Sequence, residues 1–189
     1  MSGRLFVISG PSGVGKGTLI ARARERLPAL ELATSATTRP MRPGERQGRE
    51  YHFLTAEEFE RRVGEGAFLE HVEFAGHRYG TLRSEVERRL EDGANVVLEI
   101  DVPGAREIER QLPESVLVFI APPDIGDLEQ RLAARGTNSV EDIEARLRIA
   151  RAELGAVNEF RHVIVNDDVE RAADELTRLM WAALKEETR

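Results

Sequence analysis

The sequence predicts an α/β protein with a parallel sheet core flanked by helices. Three observations carry this. Apolar, β-branched-rich runs starting at Leu5, Asn95, Val116 and Val163 alternate with helical patterns, the rhythm of strands buried on both faces of a parallel sheet. The first run leads directly into a glycine-rich turn and a helix, Leu5 to Ile20. That turn, Asp101 and Asn166 all follow strand ends, where open α/β sheets hold their ligands.

The turn Gly10-Pro11-Ser12-Gly13-Val14-Gly15-Lys16-Gly17-Thr18 is a phosphate-binding loop. Glycines let successive backbone N–H groups turn inward around an anion, the following helix offers its positive end, and a lysine reaches the outer phosphates. Lys16 is that lysine. The usual signature places Ser or Thr directly after it to hold Mg²⁺; here Gly17 stands there and the hydroxyl comes one residue later, at Thr18. The phosphate cradle is unaffected, and Mg²⁺ is expected to be held mainly by nucleotide oxygens and water rather than by protein ligands.

Leu19 to Leu27 continues as a helix until Pro28 stops it. Between Leu30 and Arg49 hydroxyls, arginines and turn formers predominate, which excludes a core helix. Tyr51 to Leu54 reads as a short strand, and Thr55 with Glu58 three residues on caps a helix from Ala56 to Gly64. Gly66 to Phe74 is a second strand region closed by Ala75-Gly76. Residues 34–81 together form a small insertion that carries polar groups toward a ligand.

Arg83 to Glu91 is helical and delivers the run Asn95 to Asp101, where Glu99 and Asp101, two apart, are expected to share one face of the strand end. Pro103-Gly104 turns the chain into a helix to about Leu112, and Val116 to Ala121 is a third buried strand. From Asp124 to about Asn158 the pattern is helical, arginine-rich and interrupted at residues 136–139. After the last strand, Ala172, Leu176, Leu179, Met180, Ala183 and Leu184 line one face of a terminal helix.

At 189 residues the chain suits one domain with small insertions that move against it. With no cysteine there is no disulfide, thiolate zinc site or thiol nucleophile, and the four histidines lack metal-ligand spacing. A net charge of -7, from 27 basic and 34 acidic residues, argues against a broad nucleic-acid surface. Neither a leader segment nor a membrane-length apolar window is seen, so a cytoplasmic location is expected.

Several motifs stand in order: the glycine-rich loop, Ser35-Ala36-Thr37-Thr38-Arg39-Pro40, Arg42-Pro43-Gly44-Glu45, Tyr51-His52-Phe53, Tyr79-Gly80-Thr81, Glu99-Ile100-Asp101-Val102, Arg135-Gly136-Thr137 and Val165-Asn166-Asp167-Asp168. In this order, and over essentially the whole chain, they closely resemble bacterial guanylate kinases. The resemblance implies a phosphate-loop nucleoside monophosphate kinase fold with its core in 1–33, 82–123 and 159–189, a GMP-binding insertion in 34–81 and a helical lid in 124–158. It implies ATP and GMP as substrates, converted to ADP and GDP. Ser35, Arg39, Arg42, Tyr51, Glu70, Tyr79, Thr81 and Asp101 match the GMP-binding positions, Arg131, Arg135 and Arg146 the lid arginines, and Asn166 the residue near adenine. Pro103 stands where glutamine is common, a local departure only. Monomer and homodimer both stay open.

The residue chemistry agrees with that acceptor. Guanine offers a ring N–H and an exocyclic amine beside a carbonyl, so a selective pocket needs carboxylates, as Glu70 and Asp101 could supply, and hydroxyl donors, as Ser35 and Thr81 could supply. Arg39 and Arg42 can grip a monophosphate dianion with the hydroxyls of Tyr51 and Tyr79. An ionised phosphate acceptor needs no general base, which leaves positioning and charge neutralisation by Lys16, Arg39, Mg²⁺ and the lid arginines. Two other classes remain to be tested: a binding module of the same fold that has lost catalysis, and a phosphate-loop kinase with a different acceptor.

Overall fold

The computed structural model describes residues 3–27, 29–74, 76–134 and 140–186. The chain runs β1 (Leu5–Ser9), α1 (Lys16–Arg26) and β2 (Leu30–Leu32), then forms β3 (Ala36–Thr37), β4 (His52–Phe53), α2 (Ala56–Gly64), β5 (Phe68–Phe74) and β6 (His77–Leu82). It continues through α3 (Arg83–Glu91), β7 (Asn95–Glu99), α4 (Val102–Gln111), β8 (Val116–Ala121), α5 (Ile125–Ala134), α6 (Val140–Gly155), β9 (His162–Val165) and α7 (Val169–Glu186).

β1 is the centre of a five-stranded sheet in the order β2-β7-β1-β8-β9, and every neighbouring pair runs parallel. All five of its residues are buried. Alternation sends Phe6 and Ile8 into one core layer with Leu19, Ile20, Leu128 and Leu176, and Leu5 and Val7 into another with Leu98, Ala105, Ile108 and Phe119. Each fully buried Leu, Ile or Phe stabilises by about 1.5–3 kcal/mol relative to exposure, so the strand that launches the glycine-rich loop is anchored from both faces. The chain lays β2 and β7 on one side of β1 and β8 and β9 on the other, which opens a crevice at the carboxyl end of β1.

The second sheet has the order β4-β3-β6-β5. It is mixed: β3 and β4 are parallel, and β6 is antiparallel to both β3 and β5. Its separate core consists of Ala36, Phe59, Phe68 and Leu82, with Leu54 and Val63 packed against it. The Phe59 and Phe68 rings stack at 4.4 Å. α2 starts where its cap predicts, since the Thr55 side chain accepts the N–H of Glu58 at 3.1 Å.

Three details differ from the sequence expectation. Leu30–Leu32 is an edge strand on β7; two of its three residues are exposed, so it lacks the apolar run that marks a buried strand. β3, two residues long, forms only because β4 and β6 flank it. The strand β7 ends at Glu99, and Asp101 is the N-cap of α4, its Oδ1 accepting the Gly104 N–H at 2.9 Å, so the two carboxylates sit on a strand end and a helix cap rather than on one strand face. The interruption expected at 136–139 lies outside the described residues, as do Pro28 and Ala75. Among the described residues no helix is long and apolar enough to cross a membrane.

Candidate active site

The loop after β1 is shaped by what presses on it. Gly10 has φ +132°, and a Cβ there would meet the Ile120 carbonyl oxygen at 2.2 Å; Gly15 has φ +98°, and a Cβ there would lie 2.6 Å from Asn166 Nδ2. Both require glycine. Gly15 caps α1, whose first turn contains no acidic residue, so its free amides and positive dipole end are open to an anion. Lys16 Nζ bridges the loop, donating to the carbonyls of Gly10 at 2.5 Å and Pro11 at 3.2 Å. Burial lowers the Lys16 pKa, and the charges of Glu99, Glu153 and Asp101 work against that lowering.

Asn166 and Arg131 brace this loop from behind. Asn166 is 2% exposed and its Nδ2 donates to the Val14 carbonyl at 2.7 Å. Arg131, on α5, donates to the Asn166 carbonyl at 2.8 Å and to the Val14 carbonyl at 3.3 Å. The resemblance implies an adenine neighbour at Asn166; the geometry places its side chain under the loop.

The opposite wall is built around Glu70. The β5–β6 register pairs Phe68 with Leu82 and Glu70 with Thr81, leaving Leu69 as an extra residue, a bulge that re-aims the side chains after it. Three consecutive buried residues result: Phe68 enters the small core, Leu69 the main core, and Glu70 turns to the crevice. Glu70 is 4% exposed, and Thr81 Oγ1 donates to its Oε1 at 2.6 Å. Burial pushes the Glu70 carboxyl up to about 7; the Thr81 hydrogen bond opposes this and the nearby Asp101 charge adds to it. The Thr81 hydroxyl hydrogen is therefore engaged by Glu70 rather than free for a carbonyl acceptor. Gly104, in the first turn of α4, makes room for both acids: a Cβ there would lie 3.0 Å from Asp101 Oδ1 and 3.0 Å from Glu70 Oε2. In the sequence Gly104 reads only as part of a Pro-Gly turn, although a glycine just inside a helix start is a signal of close approach.

Arg39 is held in advance. Its guanidinium donates to Glu45 Oε1 and to the Pro40 carbonyl, both at 2.7 Å, and lies 5.4 Å from the Tyr51 ring centre and 5.7 Å from that of Phe53. Glu45 also accepts the Arg42 backbone N–H at 2.7 Å, and the hydrogen bond from Arg39 holds its carboxyl below the usual range. Glu45 is thus a positioning residue that the arginine pattern alone does not reveal. Tyr51 and Tyr79 meet edge to face at 6.1 Å, and burial raises the Tyr51 phenol.

A single cleft of about 650 Å³ joins these parts. Gly10, Ser12, Gly13, Gly15, Lys16, Gly17 and Thr18 line one side, Ser35, Tyr51, Glu70 and Tyr79 the other, with Asp101 shared between them. Pro11 and Val14 are buried within the loop. Arg39, Arg42, Thr81, Arg131 and Asn166 stand outside the lining, and Arg146 is half-buried on α6. Arg135 lies outside the described residues. Glu99, missed as a site residue, also lines the cleft, and its Oε2 lies 3.2 Å from where a Cβ on Gly17 would stand. A divalent ion that keeps its waters suits this corner, where the Glu99 carboxylate and the exposed Thr18 hydroxyl offer oxygens beside the loop.

A family model described as guanylate kinase matches residues 2–183. The guanylate kinase of Frankia casuarinae is 53% identical over 176 residues, which cover 93% of this chain and 96% of that protein. That of Thermobifida fusca is 50% identical over 179 residues, covering 95% and 91% respectively. The crystal structure of guanylate kinase from Anaplasma phagocytophilum aligns with a TM-score of 0.75 at 30% identity, over 96% of this chain and 86% of that one.

Proposed function

The chain belongs to the guanylate kinase family, and from that premise we propose that it transfers the γ-phosphoryl group of ATP to GMP in the cleft between its two sheets. One observation carries the assignment of the site: the Lys16 loop, the buried Glu70 and the half-buried Asp101 face the same cleft. An anion cradle and an acceptor pocket for paired N–H donors are thereby brought within one small-molecule site.

The ATP phosphates take the free amides at the start of α1 and replace the Gly10 and Pro11 carbonyls as partners of Lys16. Ionised Glu70, with Asp101, accepts the ring N–H and exocyclic amine of guanine, and the Ser35 hydroxyl donates to its carbonyl. Thr81 keeps Glu70 in place. Adenine would set a ring acceptor against a carboxylate and leave buried polar groups unpaired, a mismatch that discriminates strongly. Arg39 and Arg42 grip the monophosphate, assisted by the Tyr51 and Tyr79 hydroxyls, and Glu45 orients Arg39.

The acceptor oxygen is already ionised, so no side chain takes a proton. Lys16, Arg131, Arg135 and Arg146 neutralise charge on the migrating group while GMP is held in line. Glu99 and Thr18, which line the cleft beside the loop, would hold a hydrated Mg²⁺ through its waters, and the ion would supply further charge neutralisation on the phosphates. Residues 34–81 act as the GMP-binding part and 124–158 as the lid, and their closure excludes water that would otherwise hydrolyse ATP. A cytoplasmic location fits this chemistry.

The test is a coupled ADP-release assay with ATP, Mg²⁺ and each of GMP, AMP, CMP and UMP. ADP release confined to GMP is the expected result. Preference for another acceptor would overturn the guanine pocket, and GMP binding without ADP release would make the chain a binding module.

A further inference from the structure

Leu69 is the extra residue of the β5–β6 bulge, and α4 holds it twice. Its side chain is fully buried beside Ala105 and Ile108. Its carbonyl, on the edge strand of the second sheet, takes a donor from outside the ladder: Gln111 Nε2, at the end of α4, 2.7 Å away. Apolar burial is non-directional. The hydrogen bond, by contrast, fixes the plane of the Leu69–Glu70 peptide and hence the direction in which the Glu70 side chain leaves the backbone.

The Gln111 amide is itself held on both sides. Its oxygen accepts from Arg83 Nη2 at 2.6 Å, and its nitrogen donates a second hydrogen to Glu107 Oε1 at 2.5 Å. Reversing the amide would set acceptors against acceptors, so one orientation suits all three partners. Arg83 directly follows β6, whose Leu82 pairs with Phe68 at the start of the bulge. One side chain on a core helix therefore grips both strands of the second sheet where their register shifts.

Packing leaves Glu70 a choice of direction. It lines the central cleft and also a separate cavity of about 390 Å³ bounded by His71, Gly104, Glu107 and Gln111. With open space adjoining the residue on both, a directional contact must select the cleft. We propose that Gln111 is a positioning residue for guanine selection: through the Leu69 carbonyl and Arg83 it holds the bulge in the register that presents Glu70 to the cleft. This rests on the assignment of Glu70 as a carboxylate that accepts from guanine.

The experiment measures kcat/KM for GMP and for inosine monophosphate, which lacks the exocyclic amine, together with KM for ATP and the melting temperature. The proteins are wild type, Gln111→Met, Gln111→Glu, Glu70→Gln, Gln111→Met combined with Glu70→Gln, and Glu109→Gln. Met removes the donor at similar length. Glu keeps a partner for Arg83 but sets an acceptor against the Leu69 carbonyl, so it releases the bulge without losing the Arg83 contact. Both Gln111 variants lose roughly tenfold of the preference for GMP over inosine monophosphate, the worth of one hydrogen bond to a charged group, while KM for ATP is unchanged. Glu109, exposed on the same helix, gives a variant that matches wild type. Because Gln111 acts through Glu70, Gln111→Met adds little in the Glu70→Gln background.

A lowered melting temperature with an unchanged preference in both Gln111 variants overturns the proposal, as do losses that simply add in the combined variant. If Glu70→Gln keeps the wild-type preference, the guanine-pocket assignment fails and the proposal with it. If Glu70→Gln loses the preference while both Gln111 variants keep it, only the role of Gln111 fails.

Discussion

Thr81 Oγ1 donates a 2.6 Å hydrogen bond to Glu70 Oε1, joining the two residues that face each other just past the bulge in the β5–β6 pair. The bond satisfies one carboxylate oxygen and leaves Oε2 beside Gly104 and the N-terminal end of α4. Burial still dominates, and the Glu70 carboxyl titrates at about 7. The group proposed to read guanine is therefore only partly ionised at neutral pH in the free protein.

In the proposed site Glu70 accepts from guanine in its ionised form, so kcat/KM for GMP should rise as pH increases through about 7. The GMP phosphate also titrates, near pH ~6, and a Glu70→Gln variant isolates its share: that variant should bind GMP weakly and lose the step near 7. An unchanged step in Glu70→Gln would assign it to another group. Stability runs the other way. A raised carboxyl pKa adds stability to the unliganded protein that is fully present below its ordinary value of 4.5 and lost as pH rises through about 7, so the melting temperature of wild type, but not of Glu70→Gln, should carry a falling contribution across that window.

Gly104→Ala tests the space shared by the two acids. A methyl group there falls at 3.0 Å from both Asp101 Oδ1 and Glu70 Oε2, close enough to displace each carboxylate by a few tenths of an ångström. Helix propensity favours Ala over Gly by about 1 kcal/mol, so the fold should tolerate the change. The expected result is a KM for GMP raised roughly tenfold, about 1.4 kcal/mol of binding, with KM for ATP nearly unchanged and thermal stability kept. Equal losses for both substrates would count against a local effect on the guanine pocket.

Asn166→Ala separates a brace from a base contact. Its side chain donates to the Val14 carbonyl and its backbone carbonyl accepts from Arg131, so the substitution leaves the Val14 carbonyl with only the longer Arg131 hydrogen bond, at a cost of about 0.5–1.5 kcal/mol. A lowered melting temperature together with a raised KM for ATP is expected. If affinity for ATP falls while the melting temperature is unchanged, and GTP serves as donor equally well in both forms, Asn166 acts on the base and not on the loop.

Much of the core was legible from local pattern. The apolar run before Gly10, the Thr55 cap of α2, the bounds of α3 and the strand Val116–Ala121 all depend on side-chain periodicity and turn chemistry within a few residues. The residue types gathered at the cleft were legible for a similar reason: a phosphate cradle, and the guanine pocket proposed beside it, each admit few chemical solutions, and Lys16, Ser35, Tyr51, Glu70, Tyr79 and Asp101 line one cleft. The strands β2 and β3 were not legible. An exposed three-residue edge and a two-residue bridge owe their conformation to neighbours far along the chain.

What the order of residues decided was the chemistry available: a lysine after glycines, paired arginines, two acids for a base with two N–H donors, and no cysteine to suggest anything else. Tertiary structure decided how that chemistry is arranged. The bulge at Leu69 turns Glu70 inward, Gly104 brings a helix start against it, Glu45 claims Arg39, Asn166 goes beneath the loop, and Glu153 enters the cleft that Lys16, Glu99 and Asp101 also line. Each of these depends on contacts between residues distant in sequence, and on the cost of burying charge, which exists only once water has been removed by folding.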